Sequence, residues 1–425
     1  MEPETLPAPR VRATSLGAFL RSNTKWLLTA VALIAAAGAI AVSAHQPIAT
    51  PSHTPAGAVN VGAVVGPGCT LLRQETPPPG TSFEFGTNFA KHCVHYSEIL
   101  SGGPIKDGIP AIDAPKIVTV GAADAWLRPV EPVISFQVGG DARAYPIQIL
   151  IWHEVVNDTV GGVPVTVTFC PLCNTAIAFE RTVNGRVLDF GTTGRLRFSN
   201  LVMYDRQTES WWQQALGLAI AGEYTGTQLV ARPAAIIAWS EFKAAHPDGR
   251  VLSRDTGFNR PYGQNPYQGY DNINSSPFLY QGPPLPGTLK PLARILAVTV
   301  GGSAVAYPFD TLGTMRVVND TVGGTSIVVF WTPGTASPLD APTTADGRDV
   351  GSATAFLSTL NSQQLTFTFD GTHFLDAQTG SQWDGLGRAV GGKLARQALT
   401  PVTSAVNAFW FAWISFQPAT RVYHG

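Results

Sequence analysis

The sequence predicts a mainly β (α+β) protein, with two β-rich lobes that arise from an internal duplication and an N-terminal membrane anchor helix before them. Three observations predict this class. Charged residues make up only 13% of the 425 residues, whereas glycine (43) and proline (33) are abundant, a composition that favours a loop-rich β fold over a helical one. A long segment of the chain occurs twice, and an uncharged run of bilayer length lies near the N-terminus.

The duplication relates residues 138–162, VGGDARAYPIQILIWHEVVNDTVGG, to residues 300–324, VGGSAVAYPFDTLGTMRVVNDTVGG. A second patch, 205–212, recurs in the same order at 376–383. Repeats of this kind indicate two copies of one structural unit. The copies differ at three chemically special positions: Met315 replaces His153, Thr332 replaces Cys170, and Thr335 replaces Cys173. The fold itself therefore does not require the imidazole or the two thiols.

The N-terminal region predicts export of the body. Residues 1–25 form a basic tail with four Arg or Lys residues, and residues 26–44 (WLLTAVALIAAAGAIAVSA) carry no charge. A run of this length can span a bilayer, and the basic flank stays in the cytoplasm. We therefore expect a single-pass protein of the cell membrane whose body lies on the extracytoplasmic side. Residues 42–44 are also typical of a signal-peptide cleavage site, and a secreted protein is the alternative.

The remaining chain divides by composition. The predicted order is a flexible linker 45–67, a first β-rich lobe 68–250 with the candidate site, an irregular connector 251–288, and a second, degenerate lobe 289–425. A long ordered loop often borders a site, although the connector equally fits a plain link between lobes. The net charge of -1 gives no basic surface for nucleic acid. The membrane is the one partner that the sequence indicates, and no protein partner is predicted.

The motif Cys170-Pro171-Leu172-Cys173 is the strongest indication of a chemical function in the sequence. It follows the β-branched run 163–169, and the segment 152–158 also has the composition of a strand. The Asp/Gly-rich turn between them predicts a β-hairpin. In that hairpin His153 falls opposite Cys170. Two thiols and one imidazole are then predicted to converge on one point, as in a soft-metal or thiol redox centre.

The first interpretation is an extracytoplasmic copper-binding or copper-redox site. His153, Cys170 and Cys173 are its predicted ligands, with Met203 as the candidate fourth ligand, because soft sulfur ligands select Cu(I). Glu154 or Asp205 would orient the imidazole from outside the ligand set. Zinc is the alternative metal, although structural zinc usually has four ligands and the chain has no second C-x-x-C.

Two other interpretations stay open. With Cys170 as nucleophile and Cys173 as resolving thiol, the site would be a thiol–disulfide oxidoreductase, and the pattern of residues 174–181 is typical of the helix that follows such a motif. The predicted hairpin and the lack of a β-α-β pattern oppose a thioredoxin fold. The third interpretation is non-enzymatic: a membrane-tethered β scaffold with a local disulfide or a structural metal. The sequence has no common nucleotide-binding or hydrolase motif.

The other two cysteines, Cys69 and Cys93, lie in a Gly/Pro-rich segment before the duplicated unit. An exported body permits disulfides, and these two residues most simply pair with each other. The alternative is a metal site made of Cys93 with the flanking His92 and His95.

Several longer runs resemble a known family. These runs are DGIPAIDAP (107–115), AYP (144–146), WHEVVND (152–158), CPLC (170–173) and SNLVMYDR (199–206). Together they resemble the exported prokaryotic family catalogued as domain of unknown function 3179, from about Lys106 to near the C-terminus. The resemblance implies no established activity. It does imply that His153, Cys170 and Cys173 are motif residues of the family, whereas the Cys69/Cys93 segment lies outside the shared motifs.

Export can be tested with reporters fused to the C-terminus. We expect a reporter that is active only outside the cytoplasm to be active on the full chain, because residues 26–44 carry the body across the membrane. The matched control is the same fusion without residues 1–44, which should leave the reporter inactive. A cytoplasm-specific reporter that is active on the full chain would show the prediction to be wrong.

Overall fold

The computed structural model describes residues 64–65 and 69–425 of the chain. The predicted basic tail 1–25, the membrane anchor 26–44 and nearly all of the linker 45–67 lie outside the described residues. Between residues 69 and 425, no helix has both the length and the apolar character needed to cross a bilayer.

The body is mainly β with several sheets, which confirms this part of the predicted fold class. Its helices are short, and the longest have seven residues. The α-helices of the described part are Thr81–Glu84, Val120–Asp124, Ile147–His153, Trp239–Ala245, Phe309–Met315 and Trp410–Ile414, and the 3-10 turns are Tyr96–Glu98 and Pro171–Cys173.

The first copy of the repeat supplies two sheets, and a third sheet packs beside them. In sheet order, the five-stranded sheet contains Ala234–Ala238, Pro132–Val138, Asp141–Pro146, Arg250–Leu252 and Ile117–Thr119. The four-stranded sheet contains Ala231–Arg232, Thr175–Glu180, Val163–Cys170 and Val155–Val160. The seven-stranded sheet contains Val64–Val65, Thr227–Gln228, Leu218–Ala221, Trp211–Gln213, Asn200–Asp205, Phe190–Arg197 and Ile99–Ser101, and a small hairpin joins Thr182–Val183 to Arg186–Val187.

The second copy forms smaller versions of the same sheets. One contains Val406–Phe409, Arg294–Val300, Ser303–Pro308 and Arg421–Val422, and the next contains Val317–Val322, Thr325–Thr332 and Ser352–Leu357. A four-stranded sheet contains Phe367–Phe369, Phe374–Asp376, Gln382–Trp383 and Ala389–Gly391, and a small hairpin joins Thr359–Leu360 to Gln363–Gln364. Residues 253–293, between the two copies, contain neither a helix nor a strand.

The repeated segments adopt the same elements in the same register. Val133 pairs with Pro146 in the first copy, and Ile295 pairs with Pro308 at the equivalent place in the second. A seven-residue helix and a hairpin follow in each copy. Tyr145 donates a hydrogen bond of 2.7 Å to Asp158, and in the second copy Tyr307 donates one of 2.8 Å to Asp320. The shared residues of the repeat therefore build the scaffold.

The shared Gly-Gly turn of each hairpin has a steric reason. Gly161 and Gly162 have φ of 55° and 81°, the left-handed conformation that a tight hairpin turn requires. A Cβ on Gly161 would lie 2.5 Å from the carbonyl oxygen of Val138, which is far inside van der Waals contact. Gly323 meets the oxygen of Val300 in the same way. Glycine at this turn lets each hairpin pack on the turn before it.

The two copies share part of one hydrophobic core. Cys170 and Cys173 belong to a buried cluster that also contains Leu339, Phe409 and Phe411 of the second copy. Removal of this apolar surface from water stabilises the contact between the copies. The second copy thus helps to bury the end of the hairpin that carries both thiols.

The structure corrects two local predictions. Residues 152–153 belong to the helix Ile147–His153 and not to a strand, and residues 175–180 form a strand and not a helix. Every residue of the helix Ile147–His153 except Trp152 is buried. A short element that is buried on all sides shows no periodicity that distinguishes a helix from a strand.

The predicted disulfide between Cys69 and Cys93 is present, with 5.2 Å between the Cα atoms. The flanking histidines have other partners. His92 contacts the carbonyl oxygens of Val94 and Arg73 through its two ring nitrogens, and His95 pairs with Glu75. The arrangement therefore favours the disulfide over the alternative metal site at Cys93.

Removal of this disulfide should destabilise the body. We expect Cys69→Ser with Cys93→Ser to lower the free energy of unfolding by about 3 kcal/mol, because the bond closes a loop of 24 residues in the unfolded chain. Urea unfolding measures the difference. Wild-type protein under strong reductant is the control and should approach the stability of the double variant. Equal stability of the oxidised wild type and the double variant would contradict the prediction.

Candidate functional site

Cys170 and Cys173 lie in the tight connection between two antiparallel strands. The strand Val163–Cys170 ends at the first cysteine, the 3-10 turn Pro171–Cys173 follows, and Asn174, with φ of 50°, leads into the next strand. The exposed fractions of the two cysteines are 1% and 0%. Their sulfur atoms lie 2.9 Å apart, whereas a disulfide bond is about 2.05 Å long. The pair is therefore a buried dithiol in direct contact.

Cys173 is held by a polar network. Its thiol donates to the carbonyl oxygen of Ser199 at 3.4 Å, and its sulfur accepts a hydrogen bond of 3.2 Å from the Asn200 amide. The same amide donates to Gln214, which donates to Thr168 on the hairpin. Burial raises the pKa of the Cys173 thiol well above its usual value, the contact with Cys170 adds to this effect, and the bond from Asn200 opposes it. Cys173 is therefore a thiol at neutral pH.

His153 uses both ring nitrogens for hydrogen bonds inside the protein. Nδ1 lies 2.7 Å from the carbonyl oxygen of Pro110, and Nε2 lies 2.7 Å from the hydroxyl of Tyr262. A carbonyl oxygen only accepts, so Nδ1 carries the proton and Nε2 accepts from Tyr262. Burial lowers the pKa of His153 to about 4, although the bond to Pro110 opposes the shift. The imidazole is therefore neutral, and both of its nitrogens are occupied.

The predicted hairpin is present, but it does not bring His153 to Cys170 in the expected way. Val155 pairs with Thr168, and the Phe169 N–H donates to the Glu154 carbonyl oxygen at 2.8 Å. A continued strand would place His153 next in register, but the chain enters this strand from a helix and His153 belongs to that helix. Across residues 69–425, no three His, Cys, Asp or Glu side chains are arranged to hold a metal ion. The copper or zinc site remains a prediction without structural support.

Glu154 is a buried carboxyl beside the dithiol. It ends the helix Ile147–His153 in the left-handed conformation, with φ of 59°, and 7% of the residue is exposed. Burial raises the pKa of Glu154 to about 8, and its charge in turn raises the pKa of Cys173 and of Tyr267. The predicted role of orienting the imidazole is not observed, because His153 binds Pro110 and Tyr262 instead.

The other two predicted site residues, Met203 and Asp205, lie in packed and hydrogen-bonded parts of the scaffold. Met203 is fully buried on the strand Asn200–Asp205, in the same hydrophobic cluster as the two cysteines. Asp205 accepts hydrogen bonds from the Thr208 backbone at 2.7 Å and from the Trp212 indole at 2.9 Å. The second copy contains the same bond from Trp383 to Asp376. Asp205 is therefore part of the scaffold and does not contact the imidazole.

The irregular connector covers the dithiol. Tyr270 donates a hydrogen bond of 3.0 Å to the carbonyl oxygen of Leu172, between the two cysteines, and Tyr262 holds His153. Tyr267 packs on the hydrophobic cluster of the site. We call residues 256–280 the cap. The sequence showed it only as a long Tyr-rich loop, and its aromatic content was the signal for this role.

The cap is also tied to the second copy. Its Gly269 N–H donates to the carbonyl oxygen of Asp340 at 2.8 Å. Asp271 is buried between Arg294, at 2.7 Å, and Arg348, at 2.9 Å. An ion pair this deeply buried costs several kcal/mol when one partner is removed. The second copy therefore anchors the cap over the thiols of the first.

The second copy keeps the framework of the site without its chemistry. Arg316, with φ of 67°, ends the helix Phe309–Met315 where Glu154 ends its counterpart, and its guanidinium lies over the Trp331 ring. Thr335, in place of Cys173, contacts the Ser352 hydroxyl at 3.1 Å. The left-handed residue thus belongs to the fold, whereas the buried carboxyl and the thiols are special to the first copy.

One known protein family matches most of the chain. The family model described as protein of unknown function (DUF3179) matches residues 106–420. No curated protein and no solved structure matches the chain. The matched stretch includes both copies of the repeat and the motif Cys170–Cys173, and it excludes the disulfide Cys69–Cys93. The chain therefore belongs to the DUF3179 family of proteins of unknown function.

Proposed function

We propose that the chain is an extracytoplasmic thiol–disulfide redox protein with Cys170 and Cys173 as its redox centre. The observation that carries the proposal is the contact of 2.9 Å between two sulfur atoms that are not bonded. A shift of less than about 1 Å would bring them to disulfide distance. The extracytoplasmic location rests on the N-terminal sequence 26–44.

The distance between the two sulfur atoms supports redox chemistry better than binding of one metal ion by both cysteines. Two sulfur ligands at about 2.3 Å from one tetrahedral ion lie about 3.8 Å apart. The sulfur atoms of Cys170 and Cys173 are closer than that, and His153 has no free nitrogen to complete the site. Loss of two protons and two electrons converts the pair to a disulfide, and a disulfide in a partner protein or small molecule accepts them.

The two cysteines have different roles in this proposal. Burial raises the pKa of the Cys173 thiol, and a thiol is a far weaker nucleophile than a thiolate. Cys170 therefore makes the first attack on the partner disulfide, and Cys173 resolves the mixed disulfide. Both thiols are buried, so a partner reaches Cys170 only after the cap moves.

Redox titration tests the proposal directly. We expect glutathione buffers of increasing oxidising power to convert Cys170 and Cys173 reversibly to a disulfide, detected by thiol labelling and mass spectrometry of the peptides. Cys170→Thr and Cys173→Thr are matched variants, because the second copy carries threonine at both positions, and each should abolish the transition. Cys69 and Cys93 serve as the internal control and should stay oxidised where the pair 170/173 is reduced.

Two results would count against the proposal. If the dithiol stays reduced in every buffer, even after mild unfolding exposes it, the two cysteines serve only to pack the core. Stoichiometric copper in protein purified from its own compartment, lost in each threonine variant, would establish the metal interpretation instead.

The cap should control access to the dithiol. Tyr270→Phe removes the hydrogen bond to Leu172, which is worth about 1 kcal/mol, so we expect labelling of Cys170 by a small thiol reagent to be about fivefold faster in the native protein. Tyr96→Phe is the matched control, because that hydroxyl donates a hydrogen bond of 2.8 Å to the carbonyl oxygen of Phe89, outside the cap. Equal labelling rates in the two variants would show that the Tyr270 bond does not restrain the cap.

A further inference from the structure

A small cavity lies between the dithiol turn and the second copy. Asn174, the residue directly after Cys173, lines it from the first copy, and Arg294 lines it from the second. Thr335 and Asn407 are the other polar residues of the lining, and the remaining residues are apolar. The cavity is therefore located where the end of the hairpin meets an arginine that anchors the cap.

Two buried polar atoms of this lining lack a partner. Within the described part of the chain, the side-chain oxygen Oδ1 of Asn174 and the Nε of Arg294 have no hydrogen-bond partner. Asn174 is 4% exposed, and the Arg294 side chain is 10% exposed. Buried polar atoms are nearly always hydrogen-bonded, because an unmade bond lowers stability. The first atom accepts and the second donates, so the pair indicates a ligand that can do both.

The size and the polar groups of the cavity identify that ligand. The cavity has a volume of about 10 Å³, which is the room that one water molecule needs. A metal cation would lie beside the guanidinium of Arg294, and an anion would lie beside the amide oxygen of Asn174, so both are repelled. A buried water needs about two to four polar partners. Thr335 supplies a third, because its hydroxyl contacts Ser352 at 3.1 Å and keeps further bonding capacity.

We propose that one ordered water molecule bridges Asn174 Oδ1 and Arg294 Nε and thereby couples the dithiol turn to the anchor of the cap. The water donates to Asn174 and accepts from Arg294. The Asn174 N–H also bonds to the carbonyl oxygen of Pro171 at 3.2 Å, so this residue is fixed to the turn that carries Cys173. The bridge goes beyond the proposed redox function and does not depend on it.

Arg294 connects the bridge to the cap through another nitrogen. Its Nη2 donates to Asp271 of the cap at 2.7 Å and to the Ser337 hydroxyl at 2.6 Å. Ser337 in turn donates to the same carboxylate of Asp271. A guanidinium is a rigid, planar fork, so a bond at Nε restrains the direction of Nη2. The water therefore stabilises the closed cap as well as the turn.

The scaffold does not require either of the bridged side chains. The repeat has Ala336 at the position equivalent to Asn174 and Pro132 at the position equivalent to Arg294. The left-handed conformation of Asn174, with φ of 50°, is open to glycine as well. The Asn174 side chain can thus be removed while the turn keeps its backbone.

A high-resolution crystal structure of the full chain tests the water directly. We expect an ordered water within hydrogen-bond distance, about 2.7 to 3.2 Å, of both Asn174 Oδ1 and Arg294 Nε. A structure without density between these two atoms, or with the Asn174 oxygen bonded to a protein group, would overturn the proposal.

Thiol labelling tests the coupling. Asn174→Gly removes the acceptor and keeps the left-handed turn, so we expect Cys170 of the native protein to be labelled about fivefold faster, the factor that one hydrogen bond is worth. Asn184→Gly is the matched control, because Asn184 has φ of 49° but is exposed in a separate hairpin. The control should be labelled at the wild-type rate. Equal rates in the two variants would show that the turn and the cap are not coupled in this way.

A second set of variants shows whether the effect passes through Arg294. Arg294→Lys keeps a cation for Asp271 but lacks the Nε–H, whereas Arg348→Lys changes the other arginine on Asp271, which does not line the cavity. We expect Asn174→Gly to accelerate labelling about fivefold in the Arg348→Lys protein and to add nothing in the Arg294→Lys protein.

Equal acceleration in both backgrounds would mean that Asn174 acts through local packing of the turn, and the bridge would be refuted. Labelling reports exposure of the thiol and not exchange of electrons. These outcomes therefore decide the bridge whether or not redox titration supports the redox function.

Discussion

Burial at the end of one hairpin determines the protonation states of His153, Glu154 and Cys173. Burial lowers the pKa of His153 to about 4, raises that of Glu154 to about 8 and raises that of Cys173. The shifts differ in sign, but each favours the uncharged form of its group, because a low-dielectric environment penalises charge. Near neutral pH the site therefore holds a neutral imidazole, a largely protonated carboxyl and a thiol. None of these three forms carries a net charge.

The duplication explains how the protein supports such a site. The bonds from Tyr145 to Asp158 and from Tyr307 to Asp320 and the Gly-Gly turns recur in both copies. They specify the fold wherever they occur. The framework does not depend on the thiols or the carboxyl of the first copy, since the second copy has threonine and arginine at the equivalent positions. The second copy instead helps to bury the site. Phe409 and Phe411 pack in the same hydrophobic cluster, and Arg294 and Arg348 hold the cap through Asp271.

The sequence predicted the fold class and the hairpin with its register, because turn residues and β-branched runs are local signals. It did not predict that His153 ends a helix, since Ile147–His153 is buried on nearly all sides and its pattern is continuous rather than periodic. The cap was also beyond prediction in detail. A segment without regular structure has no repeating pattern, and its contacts with Leu172 and Asp340 connect residues far apart in the chain. The sequence marks Glu154 only as a neighbour of His153, because burial is a tertiary property.

For the proposed redox reaction, the geometry of the dithiol predicts that the cap, rather than the cysteines, is limiting. The sulfur atoms need to move less than about 1 Å to bond, so oxidation requires little rearrangement of the turn Pro171–Cys173. Access requires more, because the cap must separate from Leu172 and His153 while Asp271 is held between Arg294 and Arg348. Local opening of this kind has its own free energy, which is smaller than that of global unfolding. A partner that binds the open cap would supply that free energy, so binding of the partner and exposure of the dithiol would be coupled.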